Sequence, residues 1–371
     1  MSNKGYYGIG ASSCDYNDSY PSYLRITDIS DDGNVNFPLT TCVDPNLYPD
    51  WQKYLLRAND LVFARTGNST GRNYFCKNIN RPTVFAGFLI KFSINPEVIN
   101  PRYVGYYCQS ASYWNQIKSL FTGSTRANVN AEQYSLLKIP VTNFQIQQHI
   151  VNTIGTVDDL IEKCREEVRA LRRFVVLSFA KFTEGATYKK LGDVFEVSIG
   201  RTPPTKEPKW FATSGVKWLS IKDMADDSDY ISDTSQYLTA DAVQRFNIPI
   251  IDPGDVLLSF KLTVGKTAIA DCRMCSNEAI ACFKTKTMGL PEYLYCYFAN
   301  TDLLATNDST SSIGKGMNST IVKNHLFPYP KIEMLEEFNK SILPFFKLMK
   351  NRKRKLKELT KLKHALLSRY F

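Results

Sequence analysis

Histidine is scarce, with three in 371 residues. His149, His325 and His364 lack partners at ligand spacing, which leaves a histidine-based metal or acid–base centre without material. No uninterrupted apolar run approaches the ~18 residues a membrane helix needs. The opening Met1-Ser2-Asn3-Lys4-Gly5-Tyr6-Tyr7 has no apolar signal-peptide core, so the expectation is a soluble, cytoplasmic protein with no membrane partner. Catalytic signatures are missing as well. There is no Gly-Lys-Ser/Thr phosphate loop, and Gly8 and Gly10 stand in an irregular segment rather than between a strand and a helix, as a dinucleotide fingerprint requires. A base-methylating site needs an Asp/Asn-Pro-Pro-aromatic loop, and the only Pro-Pro, Pro203-Pro204, is flanked by threonines. Endonuclease-like acidic spacings do not gather on one strand pair. The sequence therefore predicts a chain that performs no chemistry itself and holds no metal or cofactor.

Nine cysteines, an odd and scattered set, do not form a secreted disulfide framework and point to a reducing compartment. Cys272 and Cys275 make one CxxC, with Cys282 and Cys296 beyond it. No second CxxC exists and the matching part of the first half offers only Cys76, so buried and turn cysteines are expected rather than zinc.

What is present is basic charge and repetition. Forty-six Lys and Arg against 36 Asp and Glu give a net +10, which favours a polyanionic partner. Much of the excess lies at 347–363, where the run Lys350-Asn351-Arg352-Lys353-Arg354-Lys355-Leu356-Lys357 reads as the polar side of a coiled coil or as an arm tracking DNA phosphates. A hydrophobic share of 43% with 13% aromatic residues fits globular structure.

The central stretch, residues 145–182, has no Gly or Pro after Gly155. Its apolar residues Ile154, Val157, Leu160, Cys164, Val168, Leu171, Val175 and Ser178 or Phe179 step by three and four, as a helix with one packed seam requires. Residues 335–371 repeat the pattern through Leu348, Arg352, Leu356, Leu359, Lys363 and Leu366, and Leu177-Ser178-Phe179 is echoed by Leu367-Ser368-Arg369.

The globular parts repeat too. In the first, strands are expected at 24–29, 60–65 and 83–92, an aromatic-rich helix at 101–117 and a short helix at 131–137. In the second, residues 219–224 and 254–259 lie 195 positions after their counterparts. Further on the offset is 190, matching Pro101 with Pro291, Asn128 with Asn318 and Pro140 with Pro330. The second part opens with Leu191-Gly192-Asp193-Val194-Phe195, read as a strand that the first lacks; Gly8-Ile9-Gly10 would match Ser198-Ile199-Gly200. The expected segmentation is 1–141, 142–187, 188–331 and 332–371.

Each globular part has two polar loops suited to a nucleic acid. The first loop carries Arg65, Thr66 and Arg72 in one half and Lys261, Thr263 and Lys266 in the other. The second carries Ser124, Thr125, Arg126 and Asn128, against Lys315 and Asn318. Small residues permit close backbone approach, Arg and Lys reach phosphates or guanine edges, and Asn can pair with adenine. A single loop of this kind is as often an ordinary solvated one; two loops in two repeats favour DNA binding.

Leu191-Gly192-Asp193-Val194, Gly200-Arg201-Thr202-Pro203, residues 218–223, Pro253-Gly254-Asp255-Val256-Leu257, Asn277-Glu278-Ala279-Ile280 and Ile139-Pro140 followed by Gln147-Gln148-His149-Ile150 occur in an order that resembles the specificity subunit of type I restriction-modification systems. The resemblance covers essentially the whole chain. It implies an α+β protein with two tandem target-recognition domains, each followed by a long conserved helix, the helices forming an antiparallel coiled coil. Each domain would read one half of a bipartite double-stranded DNA target, and the coiled coil would set the spacing. The helices would dock two modification subunits, and restriction subunits would join them. S-adenosylmethionine, ATP and Mg would belong to those partners. The shortened first domain departs from the family pattern. Two other readings stay open at this point, a non-enzymatic coiled-coil scaffold for proteins and a DNA-modifying enzyme with an unrecognised site.

Overall fold

The structure is a computed structural model, and it describes residues 4–35, 41–120, 128–224, 229–285, 287–303 and 317–371. Two compact units form, Met1–Glu162 with Lys357–Phe371, and Lys163–Leu356. Each is α+β.

In the first unit β1 (Tyr6–Tyr7), β2 (Ser22–Leu24), β3 (Asp60–Ala64), β4 (Asn73–Phe75), β5 (Thr83–Phe85) and β6 (Leu89–Ser93) precede α1 (Pro101–Tyr107), α2 (Ala111–Ser119), α3 (Ala131–Ser135) and the long α4 (Phe144–Ser178). Antiparallel pairing orders four strands as β1-β6-β3-β4, while β2 and β5 pair in parallel. The expected strand at 24–29 is therefore only the edge of β2. The expected strand at 83–92 is two, because the chain turns at residues 86–88, where Leu89 N donates to Ala86 O. The expected helix at 101–117 also divides. Asn100 caps α1 through the backbone N–H groups of Arg102 and Tyr103, and Ser110 caps α2 through Tyr113 N. The core centres on Phe63, stacked on Tyr134 at 4.7 Å between ring centroids and on Tyr113 at 6.1 Å. All three are fully buried.

In the second unit β7 (Thr187–Lys190), α5 (Leu191–Val194), β8 (Glu196–Ile199), β9 (Phe211–Ala212), β10 (Val216–Leu219), β11 (Tyr230–Ile231), β12 (Gln236–Leu238), α6 (Ala240–Arg245), β13 (Val256–Ser259), β14 (Thr267–Ala270), β15 (Cys275–Ser276) and β16 (Ile280–Lys284) lead to α7 (Leu290–Asn300), α8 (Ser319–Asn324), β17 (Leu326–Tyr329), α9 (Ile332–Ser341) and α10 (Leu343–Tyr370). The central order β14-β13-β16-β8 repeats β4-β3-β6-β1 of the first unit with the same antiparallel pairing. The parallel pair β10–β15 repeats β2–β5. The duplication is thus one of topology. Leu191–Val194, read from sequence as a strand, is a turn of helix. The strand is the preceding β7, which pairs with β17.

The long helices pack as the heptad pattern demands, with two substitutions in the seam. Ile161 is buried where Leu160 was expected, and Leu160 is 38% exposed. Met349 likewise replaces Leu348. Positions 154, 157, 161, 164 and 168 then step strictly by three and four. In the second unit α4 and α10 meet through Glu167–Arg352 at 2.5 Å and Phe174–Phe345 at 4.8 Å between centroids. In the first unit they meet through Asp158–Lys363 at 2.7 Å and His149–Tyr370. In both, one number rises as the other falls, so the pair is antiparallel. Each helix end also completes a core. Phe179 and Phe182 pack in the second unit, where Tyr293 lies 4.7 Å from Phe179 and its OH donates to Phe182 O. Phe371 lies 5.1 Å from Tyr103 and 5.7 Å from Tyr107 in the first. None of the described helices is long and apolar enough to cross a membrane.

Candidate nucleic-acid interface

The first loop of the first unit links β3 to β4 and is held from below. Ala64 N donates to Arg72 O at 2.8 Å and Gly71 N to Ala64 O at 3.0 Å, closing the hairpin. Gly67 and Gly71 have φ of 69° and 92°, a region that glycine enters freely. Two buried phenols fix the base. The Tyr134 hydroxyl donates to Ala64 O at 2.7 Å and accepts from Gly71 N, and the Tyr113 hydroxyl donates to Gly71 O at 2.6 Å. Burial pushes both phenols well above the usual tyrosine range, so they stay neutral donors.

The second loop meets the first. Val129 N donates to Arg65 O at 2.9 Å, and Thr66 and Asn128 form an antiparallel bridge. Arg65, Thr66 and Asn128 are therefore neighbours. The Arg65 guanidinium lies 4.9 Å from the ring centroid of Tyr7, and its Nε is enclosed with no hydrogen-bond partner among the described residues. The Tyr7 hydroxyl accepts from Ala131 N at 3.2 Å, which fixes the ring under the guanidinium. Arg72 is committed elsewhere: its Nε donates to Asp31 at 2.7 Å and a terminal nitrogen to Ile29 O at 3.2 Å. Ser124, Thr125 and Arg126 lie outside the described residues.

The second unit repeats the scaffold with different side chains. Ser259 N donates to Lys266 O, Gly265 N to Ser259 O, and Met317 N to Phe260 O at 2.8 Å. The loop after β13 and the segment before α8 thus meet as in the first unit. Lys261 and Thr263 are exposed, and Leu262 between them is 82% exposed with φ of 63°. The Ser259 hydroxyl donates to Thr263 O at 2.5 Å and accepts from Lys266 N, a side-chain tie in place of the two tyrosines. Lys266 directs its Nζ to Met224 O at 2.8 Å, so it braces the loop rather than projecting from it. Asn318 caps α8, its Oδ1 accepting from Ile321 N at 2.8 Å. Its counterpart is Asn130, which caps α3 in a capping box with Gln133, and not Asn128 as the offset of 190 suggested. Lys315 lies outside the described residues.

Three features carry a signal that residue spacing did not reveal. Tyr7 is an exposed aromatic that becomes a platform only when β1 aligns with β6. Phe88 is 59% exposed in the turn whose carbonyl accepts from Arg65 N at 3.0 Å. Trp210 is a core residue, 5% exposed, with Lys209 at 4.6 Å and Arg245 at 5.3 Å from its ring; the adjacent Lys209-Trp210-Phe211 is the trace of this pairing in the sequence.

Among the described residues no cluster of His, Cys, Asp and Glu could hold a metal. All nine cysteines are free. The CxxC is dispersed: Cys275 is buried, its thiol pushed up to about 11 by burial, whereas the Cys272 thiol donates to Ser232 O. The Cys296 thiol bonds Val175 O in the core. His325 is half-buried against Tyr297, whose hydroxyl lies 2.7 Å from its Nε2, and burial lowers its pKa.

Comparison with known proteins gives a consistent family. The family model described as the type I restriction modification DNA specificity domain matches residues 20–170 and 183–363. A type I restriction enzyme MjaIX specificity subunit of Methanocaldococcus jannaschii is 27% identical over 186 residues, 49% of this chain and 43% of that one. The chain thus spans less than half the length of that relative. A putative type I restriction enzyme MjaX specificity subunit from the same organism is 20% identical over 94% of this chain and 85% of its own length. In fold, the chain is similar to the crystal structure of the type I restriction-modification S subunit from M. genitalium, with a TM-score of 0.53, 13% identity, and coverage of 99% of this chain and 93% of that one.

Proposed function

The chain belongs to the type I restriction modification DNA specificity family, and from that premise we propose that it selects the DNA site at which a restriction-modification complex acts. One observation carries the reading: both units bring the loop after the central strand against the segment that starts the next short helix, through Val129 N to Arg65 O in one and Met317 N to Phe260 O in the other. Two such platforms in one chain suit a target with two half-sites, each unit reading one.

Arg65, Thr66 and Asn128 are the proposed contacts in the first half, and Lys261 and Thr263 in the second; Ser124, Thr125, Arg126 and Lys315, outside the described residues, are proposed as contacts from sequence alone. Arg65 and Lys261 have no carboxylate partner among the described residues, so each can meet a phosphate or a guanine edge without breaking an ion pair. Arg72, Lys266 and Asn318 serve by holding the loops. Segments 1–141 and 188–331 are the proposed recognition domains, and 142–187 and 332–371 the spacer helices. At 35 residues α4 is about 52 Å long, more than one turn of B-DNA at ~34 Å. The outer helix faces would dock two modification subunits, which bring S-adenosylmethionine, and restriction subunits bring ATP and Mg. The assembly would work in the cytoplasm.

The test is binding of the complex with its modification subunit to duplexes of cognate and scrambled sequence across a salt series. Cognate preference with a steep salt slope is expected, and Arg65→Ala and Lys261→Ala each flatten the slope by about one phosphate contact or relax one base position. Binding indifferent to both sequence and salt would instead support a protein-binding scaffold.

A further inference from the structure

Asp229 is fully buried, immediately before β11. Its backbone belongs to the sheet, since Ile269 N donates to Asp229 O at 2.8 Å. Its carboxylate faces away from the strands and meets three helices. Oδ1 accepts from Arg172 Nε on α4 and from the Tyr295 hydroxyl on α7, the latter at 2.6 Å. Oδ2 pairs with Lys353 Nζ on α10 at 3.0 Å. Burial pushes this carboxyl up, but Lys353 and Arg172 more than offset it and hold the group below the usual carboxylate range. Beside it Lys350 pairs with Asp271 and lies 5.2 Å from the Tyr230 ring centroid, while the Tyr230 hydroxyl donates to Glu292 at 3.0 Å.

Ring contacts such as Phe346 against Tyr230 and Tyr295 seat the sheet on the helix pair but set no donor–acceptor geometry. A buried carboxylate gripped from both helices does. Its partners must keep hydrogen-bond distance, and a shift of an ångström strands a charge without solvent. The first unit has no such carboxylate in its globular part among the described residues. There the acidic member is Asp158 on α4, paired with Lys363.

We propose that Asp229 is a positioning residue that fixes the seat of the second recognition domain on the two helices, and that this seat determines the gap between half-sites that the protein accepts. The inference rests on the specificity reading given above. A domain free to rock on its helices would accept a half-site displaced by a base pair; a clamped one rejects it.

The experiment uses the complex with its modification subunits and measures methyl transfer to duplexes carrying the cognate half-sites with the cognate gap, one base pair more, and one less. Asp229→Asn keeps the shape and removes the charge. It is expected to retain methylation at the cognate gap while the preference over the altered gaps falls about tenfold. Lys353→Met, which removes one arm of the clamp, should fall part of the way and serves if Asp229→Asn does not fold. Lys284→Met breaks the pairs with Asp252 at 3.1 Å and Asp255 at 3.3 Å, which do not touch the helices, and should leave the gap preference intact. An unchanged preference in folded Asp229→Asn or Lys353→Met, or equal relaxation in Lys284→Met, would overturn the proposal. Absence of sequence-dependent methylation by the wild-type complex would overturn the specificity reading beneath it.

Discussion

Replacing Gly200 or Gly8 by alanine tests the structural duplication at one point in each unit. A Cβ on Gly200 would lie 2.2 Å from the carbonyl oxygens of Ser276 and Asn277, and one on Gly8 would lie 2.2 Å from those of Phe85 and Ala86. Neither glycine has a positive φ, so the demand is purely for space. The obstacles are backbone atoms, which cannot swing away as a side chain can. Relief needs the strands to part by about an ångström, which lengthens two hydrogen bonds at each site: Gly200 N to Ile280 O and Arg201 N to Ser276 O, or Gly8 N to Leu89 O and Ile9 N to Phe85 O. Overpacking costs about 1–3 kcal/mol and each of the two weakened bonds about 1 kcal/mol, so roughly 3–5 kcal/mol is expected at either site. For units of this size that lowers the melting temperature by about 6–20 °C. Gly10→Ala is the control, because its Cβ would meet nothing within 4 Å, and a change under about 0.5 kcal/mol is expected. Urea unfolding followed by tryptophan fluorescence reads all three. If Gly8→Ala or Gly200→Ala behaves like Gly10→Ala, the close approach of these strands is wrong.

Asn318→Ala should lose about 1 kcal/mol of stability through the lost cap of α8, and Asn130→Ala the same in α3; a large change in base preference without loss of stability would instead make Asn318 a reader. Arg65→Ala should weaken cognate DNA binding by about 1–3 kcal/mol in a fluorescence-anisotropy titration, and leave unfolding in urea near wild type. The Asp229 carboxyl has a folded pKa below its unfolded value near 3.9. Its contribution to stability is therefore complete above that value and is lost as pH falls through the folded one. Denaturation curves from about pH 6 to pH 3 should show an acid limb in the wild type that is shallower in Asp229→Asn.

The features legible in the sequence were those with a period. The seam of α4 and α10 and the order of the repeats followed from apolar spacing, although Leu160 and Leu348 were assigned to the seam in place of Ile161 and Met349. Adjacent apolar residues leave the phase of a helix ambiguous by one position, about 100°. β7 was not legible because all four of its residues are exposed and it carries no alternation. The pairing of Asn128 with Asn318 failed because the loops differ in length by two residues, and only the shared capping role of Asn130 and Asn318 restores the register. The expected match of Gly10 with Gly200 also slips by two, in the opposite direction, because it is Gly8 that lies against backbone carbonyls as Gly200 does. For the candidate site, residue type pointed to two loops, which meet in each unit, but not to which cations were already engaged. Arg72 and Arg65 look alike in sequence, and only the fold gives one to Asp31 and leaves the other on Tyr7.

The most direct test of the central claim is a methylome. The chain is co-expressed with the proposed modification subunit in a methylation-free host, and modified bases are mapped by single-molecule sequencing, for the natural chain and for a chimera whose residues 188–331 come from a relative of different specificity. Two short half-sites around a fixed unspecified gap are expected, with the exchange altering one half and leaving the other. A single continuous motif, or an exchange that changes both halves together, would rule out one half-site per unit.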